Sequence, residues 1–306
     1  MTRRCRFPHR LSELKQTGGV PPGDTEPSAD GTVTSSDGTT LGYFQMGQGD
    51  GVVLVHGAGQ TAESFRTLAT DLSSRFTVFV PDRRGRGRSP SYGDFQGLRT
   101  EVADLEALLD ATGAHYVFGL SSGAVVAIET ALVRPDVAKL ALYEPPLNHD
   151  GIKHATWAPR YERELAAGRL GGALTACLKG TSDRTVLRLV PGFLLAKVLD
   201  LAIRQTAARP VPPGTFSPRE LVPTIHYDVQ TVIGATGPLD RFAALSCQVL
   251  LLGGSKSARN LTATLDDLHR VLPGASRITI RGVGHTAADN AKQPDRVAAE
   301  LLRFFG

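Results

Sequence analysis

The stretch YVFGLSSGAVVAIETALVRP, residues 116–135, decides how this chain is read. Its opening, YVFGL, is a short apolar run of strand type. From Ser122 onward the pattern is helical and stops at Pro135. Two serines lie at the junction. Gly119 stands two residues before Ser121 and Gly123 two after it. A strand-to-helix turn this sharp strains its central residue and leaves no room for a side chain at either flank. Such a turn lifts Ser121 above the sheet edge and sets the Ser122 amide at a helix N-terminus, where negative charge is stabilised. Ser122 has Leu120 and Ala124 at its own flanks, so it makes a poor centre for the turn. Ser121 is the candidate nucleophile and Ser122 a candidate amide donor. By itself Gly-x-Ser-x-Gly recurs by chance; its place between a strand and a helix gives it weight.

Outward from this junction, strands and helices alternate. GVVLVHG (51–57), FTVFVPD (76–82), YVFGLS, and KLALYEP (139–145) read as strands. TAESFRTLATDLSS, RTEVADLEALLDATG and SGAVVAIETALVRP read as helices; the first carries Phe65, Leu68 and Leu72 on one face, and the second stops at Gly113. TVTSSDGTTLGYFQMG reads as two short strands about a turn at Asp37-Gly38. Apolar strands alternating with helices indicate a parallel sheet covered on both faces. The alternation breaks over 147–237, which reads as helical with prolines clustered at 210–218. It resumes in CQVLLLGG, NLTATLDDLHRVLPG, SRITIRG and PDRVAAELLRFF. The expected organisation is a polar, Pro- and Gly-rich N-terminal arm over 1–30, an α/β core over 31–146 and 238–306, and a helical lid over 147–237.

Composition excludes several classes. With 41% hydrophobic and 21% charged residues the chain reads as an ordinary globular protein. Its apolar runs fall far short of the ~18 residues of a membrane helix, so no membrane partner is expected. A net charge of +4 demands no nucleic acid. The densest basic run, RRGRGRS (83–89), lacks the interleaved aromatics of a single-strand binder and is expected to be a solvated loop, with a phosphate-contacting loop as the open alternative. Cys5, Cys177 and Cys247 form neither a disulfide framework nor a metal spacing, so a reduced, cytoplasmic setting is expected. The basic start MTRRCRFPHRLSELKQ has no apolar segment, and no secretory signal is expected.

Three further segments bear on Ser121. VLVHGAGQ follows a strand with His56-Gly57-Ala58-Gly59. A glycine-rich loop there can turn a backbone N–H toward the nucleophile, and Ala58 is the candidate second donor to an oxyanion. His56 reads as a residue holding that loop. VFVPDRRGRGRS ends a strand at Asp82, with Gly85 and Gly87 following. RGVGHTAADN places His285 in a loop after the last strand, on the side of the sheet where open α/β folds carry their sites.

His56-Gly57, Asp82 with Gly85 and Gly87, Gly119-Leu120-Ser121-Ser122-Gly123, and Gly284-His285, in this order, resemble the α/β-hydrolase superfamily over residues 32–306. The resemblance implies an eight-stranded, mostly parallel sheet with the second strand antiparallel, an inserted helical lid, and a Ser–acid–His triad needing neither cofactor nor metal. One element departs from it. The acid usually follows the seventh strand, but LLLGGSKSARN has no Asp or Glu between Gly253 and Asn260; Asp266 and Asp267 come later, in helical sequence. Some relatives place the acid after the sixth strand, where this chain has Glu144. A carboxylate ending a buried strand needs a partner, and Glu144 is the candidate acid. Pairing of Glu144 with a loop arginine such as Arg84 stays open, as does a Ser–His dyad.

The expected function is a serine hydrolase that cleaves a carboxylic ester or thioester of a small, mainly apolar substrate through an acyl-enzyme. Ser121 attacks, His285 shuttles the proton, Glu144 orients it, and the amides of Ala58 and Ser122 hold the oxyanion. The lid is expected to shape the pocket, with Trp157, His226 and Tyr227 (and Asp228 beside them) as candidate substrate contacts. Two alternatives stay open at this level: a cofactor-free lyase, C–C hydrolase or cyclase using the same Ser/His pair, and a non-catalytic receptor for a small ligand.

Overall fold

Valine- and leucine-rich segments too short for helices pair into one eight-stranded sheet in the computed structural model, which describes residues 29–89, 91–181, 189–207 and 216–306. The strands are β1 (Ala29–Thr34), β2 (Thr40–Met46), β3 (Asp50–Val55), β4 (Phe76–Pro81), β5 (Tyr116–Leu120), β6 (Lys139–Tyr143), β7 (Gln248–Gly254) and β8 (Ser276–Ile280), in spatial order β1-β2-β4-β3-β5-β6-β7-β8. β2 runs antiparallel to both neighbours, β1 and β4. All pairs from β4 across to β8 are parallel. Apart from Ala29 and Asp30, which open β1, the expected N-terminal arm lies outside the described residues.

The central strands are apolar on both faces because both faces are covered. On one side lie α2 (Leu98–Thr112), α3 (Ser122–Val133) and α8 (Arg259–Val271), with Leu105, Val125, Ile128 and Leu265 packed on Val117 and Leu251. On the other, α1 (Arg66–Ser73) and α9 (Pro294–Phe305) bring Leu68, Leu72, Leu301 and Phe305 against Leu54 and Phe118. Successive residues of β5, Val117 and Phe118, enter opposite cores, as strand geometry requires. Phe65, expected on the first helix, sits in a 3-10 turn (Ala62–Phe65) that leads into α1 and is fully buried. Gly113 ends α2 in the left-handed conformation at φ 65°, as its sequence position predicts.

Between β6 and β7 the chain inserts α4 (Ala158–Ala166), α5 (Leu170–Thr181), α6 (Gly192–Ala207) and α7 (Pro218–Gly234). This insertion has its own apolar centre of Tyr161, Ala173, Ala176, Ile203, Val222 and Ile225. α7 starts from a capping box, Ser217 with Glu220, and from Pro218 in its first turn. Among the described residues, no helix is long and apolar enough to cross a membrane.

Candidate active site

β5 delivers Ser121 in a strained turn. Its backbone adopts φ 55°, ψ −123°, a region that costs a non-glycine residue about 1–3 kcal/mol. The flanking glycines are required by close approach. A Cβ on Gly119 would lie 2.5 Å from the Ala124 Cα, and one on Gly123 would lie 2.3 Å from the Val55 carbonyl oxygen. The Ser121 amide donates to the Tyr143 carbonyl at 2.9 Å and continues the β5–β6 ladder. Strand, turn and helix therefore converge from a sequence in which only glycine fits on either side of the serine.

The neighbouring strand ends the same way. Glu144 leaves β6 at φ 50°, its amide held by the Leu252 carbonyl. The Glu144 side chain is fully buried. One carboxylate oxygen accepts from the Gly254 amide at 2.6 Å, and the other meets His285 Nδ1 at 2.7 Å. The exit of β7 leaves room for this carboxylate: a Cβ on Gly253 would stand 3.1 Å from Glu144 Oε1 and 2.8 Å from a Leu265 methyl. The other acids considered have other partners. Asp267 bonds His149 and Arg270, and Asp266 pairs with Arg277. Arg84 binds Asp37 and Asp104, each at 2.6 Å, so the alternative of a Glu144–Arg84 pair is not found.

His285 closes the chain of contacts from the loop after β8. Its Nε2 lies 2.9 Å from Ser121 Oγ. An ionised carboxylate can only accept, so the proton facing Glu144 sits on Nδ1, and Nε2 is left to accept from the serine hydroxyl. Tyr143 steadies the loop by donating to the Gly284 carbonyl at 2.8 Å. The His285 side chain keeps 22% of its surface exposed, facing the cavity described below.

Ala58 and Ser122 border the same cavity. The loop carrying Ala58 is fixed by the Gly57 amide on Gln60, whose own amide donates to Asp289. His56 is fully buried; its Nδ1 meets the Gly57 carbonyl at 3.0 Å, and its Nε2 accepts from the Arg83 amide at 3.3 Å. Burial, then the charges of Arg86 and Arg83, hold its pKa well below the usual histidine value, so it is neutral and holds the loop.

A cleft opens above Ser121, walled by the core on one side and by α5 and α7 on the other. Trp157 lines it, with its indole N–H donated to the His154 carbonyl. His226 and Tyr227 are not brought to it. The helical period sends Ile225, Asp228, Val229 and Val232 into the cleft and turns their neighbours away. His226 is bound to Glu162 and Gln230, and Tyr227 stacks on Tyr92 at 3.8 Å between ring centres. Sequence reading missed His154 and Asn260, which line the cleft and bond each other at 3.1 Å. Burial lowers the His154 pKa to about 4, so it is neutral, with its Nε2 against Thr264 at 2.9 Å.

The basic run 83–89 is a second correction, because it is not a solvated loop. Arg83, Arg84 and Arg86 are 5%, 2% and 0% exposed. Arg83 forms a two-pronged pair with Glu101 and also reaches Asp228 at 2.6 Å; Arg86 reaches the other Asp228 oxygen at 2.9 Å. Burial opposes ionisation of Asp228, but Arg86 and then Arg83 outweigh it and hold the pKa below the usual carboxylate value. Among the described residues, no group of three or more His, Cys, Asp or Glu side chains is placed to hold a metal ion.

This geometry sits within a known framework. A model of the alpha/beta hydrolase family matches residues 52–300. The chain belongs to that family. A solved alpha/beta hydrolase from Sphaerobacter thermophilus DSM 20745 is 33% identical, superposes with a TM-score of 0.71, and is matched over 90% of this chain and all of its own. A non-heme chloroperoxidase of Streptomyces lividans is 36% identical over 154 residues, 45% of this chain and 55% of its own length. A pimeloyl-[acyl-carrier protein] methyl ester esterase of Chromobacterium violaceum is 32% identical over 143 residues, 44% of this chain and 52% of its own. The matched stretches thus span about half the length of these curated relatives.

Proposed function

We propose that the protein is a serine hydrolase that cleaves carboxylic esters or thioesters with a small, mainly apolar acyl or alcohol group. One observation carries this: Ser121, His285 and Glu144 form a continuous hydrogen-bonded chain, 2.9 and 2.7 Å long at its two links, that ends in a cleft. His285 takes the Ser121 proton as Oγ attacks the ester carbonyl, and Glu144 stabilises the imidazolium that forms. The amides of Ala58 and Ser122 receive the oxyanion, a contribution of about 3 kcal/mol per donor in comparable sites. His285 then protonates the leaving alcohol or thiol, the acyl group stays on Ser121, and a water activated by His285 releases it as the acid.

The helical insertion serves as the lid. Trp157, Ile225, Val229 and Leu261 give the cleft an apolar lining that suits a short hydrocarbon group better than a charged one. The relatives include an esterase by description, which supports the reaction class. The test is intact-protein mass spectrometry after reaction with a fluorophosphonate, on wild type and on Ser121→Ala, His285→Ala and Glu144→Gln. A single adduct that forms fast on wild type, slowly on the His and Glu variants and never on Ser121→Ala is the expected result. An unlabelled, folded wild type rejects the reading.

A further inference from the structure

The proposed oxyanion donors lie on two separate segments, the loop after β3 and the first turn of α3. A hole that stabilises charge must hold both amides in register before the reaction starts, and a misplacement of about 1 Å in such a site costs on the order of 100-fold in rate. One buried cluster reaches both segments. Arg83 Nη1 donates to the His56 carbonyl at 3.3 Å and to Ser122 Oγ at 3.0 Å. Arg86 Nη1 donates to the Gly57 carbonyl at 3.4 Å, directly before Ala58. Ser122 Oγ in turn donates to Asp228 at 2.8 Å. Asp228 belongs to α7, so the carboxylate that completes the cluster comes from the helical insertion.

The charges balance locally. Arg83 and Arg86 face Glu101 and Asp228, and all four residues are at most 5% exposed. Glu101 satisfies only Arg83, through two bonds of 2.6 and 2.9 Å. Asp228 is the carboxylate shared by both arginines and the serine. Withdrawing it leaves Arg86 buried and uncompensated, and Arg86 is bonded to the Gly57 carbonyl in the oxyanion loop.

The geometry points to Asp228 as a positioning residue: docked through Arg83, Arg86 and Ser122, it ties the seating of the insertion to the register of the two oxyanion amides. This inference rests on the proposed ester hydrolysis at Ser121. It assigns the insertion a part in organising the chemistry in addition to its part in shaping the cleft.

The experiment uses the full chain with p-nitrophenyl butyrate as substrate and a butyl trifluoromethyl ketone as analogue. Ser121 Oγ adds to the ketone carbon, its proton passes to His285, and the resulting oxyanion occupies the hole, so the affinity of this probe reports on the two amides. In Asp228→Asn, kcat is expected to fall about 30-fold and analogue affinity to weaken by a similar factor, with KM within about twofold of wild type. Ser122→Ala keeps the amide, removes only the hydroxyl latch and leaves the buried charges intact; it is expected to lose about fivefold in both readings. The double variant should be no worse than Asp228→Asn alone, since both changes break one connection. Circular dichroism and the pH profile of kcat should match wild type in each. If Asp228→Asn does not fold, Ser122→Ala decides. Variants that keep wild-type kcat and analogue affinity, or that lose affinity only in KM, overturn the positioning role. A wild type that turns over no ester and takes no adduct on Ser121 overturns the underlying reading as well, and so the two failures are distinguishable.

Discussion

The carboxyl edge of the sheet and the inserted helices build opposite walls of one cleft by different means. The sheet edge uses backbone. Ser121 and Glu144 occupy left-handed positions at the ends of adjacent strands, and Gly119, Gly123, Gly253 and Gly254 stand where any side chain would strike its neighbours. The insertion uses side chains. Besides its apolar contacts, it reaches the site through His154, bonded to Asn260, and through Asp228 and the arginines of a loop about 140 residues earlier. Geometry set by backbone tolerates almost no substitution, whereas geometry set by packed side chains grades its response. Changes on the sheet side should therefore act chiefly on turnover and changes on the insertion chiefly on substrate selection, with Asp228 as the exception that crosses over.

The comparison breaks first at Ser121. Ser121→Ala is expected to lower ester turnover by at least about 10⁴-fold and to abolish fluorophosphonate labelling, with an unchanged melting temperature, since alanine keeps the Cβ and with it the backbone strain. Glu144→Gln follows at about 10³-fold or more in kcat. A glutamine oxygen can still accept from Gly254, but its amide can present a donor to His285 Nδ1 and favour the wrong tautomer. Steady-state kinetics with unchanged circular dichroism checks both; near-wild-type turnover in the second removes Glu144 from the site.

Gly254→Ala probes the exit of β7. Its Cβ would lie 2.5 Å from the Val283 carbonyl oxygen, in the loop that carries His285. Stability is expected to drop by about 1–3 kcal/mol and kcat about tenfold, measured by urea unfolding and kinetics. On the insertion side, Trp157→Ala enlarges the cleft. It should shift the preferred acyl chain of a p-nitrophenyl ester series toward longer groups, with KM changed several-fold and kcat on the best substrate within about threefold. If kcat on every ester collapses together, the division between the two walls is wrong.

The last expected effect, outside turnover, is one of pH on stability. His154 is neutral in the fold, with a pKa lowered by burial to about 4 from 6.5. Below pH 6.5 the unfolded chain takes up this proton first, so the unfolded state binds more protons and stability falls as pH drops. The loss begins near pH 6.5 and reaches about 3 kcal/mol by pH 4. His154→Gln should be less stable at pH 8 yet show a shallower decline between pH 6.5 and 4 in thermal melts; parallel curves would show that His154 does not set this slope.

Much of the sheet edge was legible because its constraints are local. Alternating apolar runs and helical periods gave the layered α/β sheet, and glycines two residues either side of Ser121 marked the turn. Glu144 was reached through the resemblance to the α/β-hydrolases, which place the acid after the seventh or the sixth strand, and the structure sets it 2.7 Å from His285. The insertion was less legible. Trp157 was placed at the cleft, but His226 and Tyr227 were chosen by adjacency in sequence, while the period 225, 228, 229 and 232 selects the residues that face it. The basic run was misjudged because composition counts charges and cannot show their partners: Glu101, Asp104 and Asp228 approach it only after folding.

The sequence by itself determined what short-range sterics and periodicity dictate: the strands, their two-sided burial, the strained serine turn, and the order of the residues that converge on it. Tertiary structure alone decided which distant charges meet. Four buried ions, each costly to remove from water, become tolerable only when folding brings two arginines, two carboxylates and the Ser122 hydroxyl within 2.6–3.0 Å of their partners. No local pattern encodes that meeting, because it depends on where α7 is seated against the sheet.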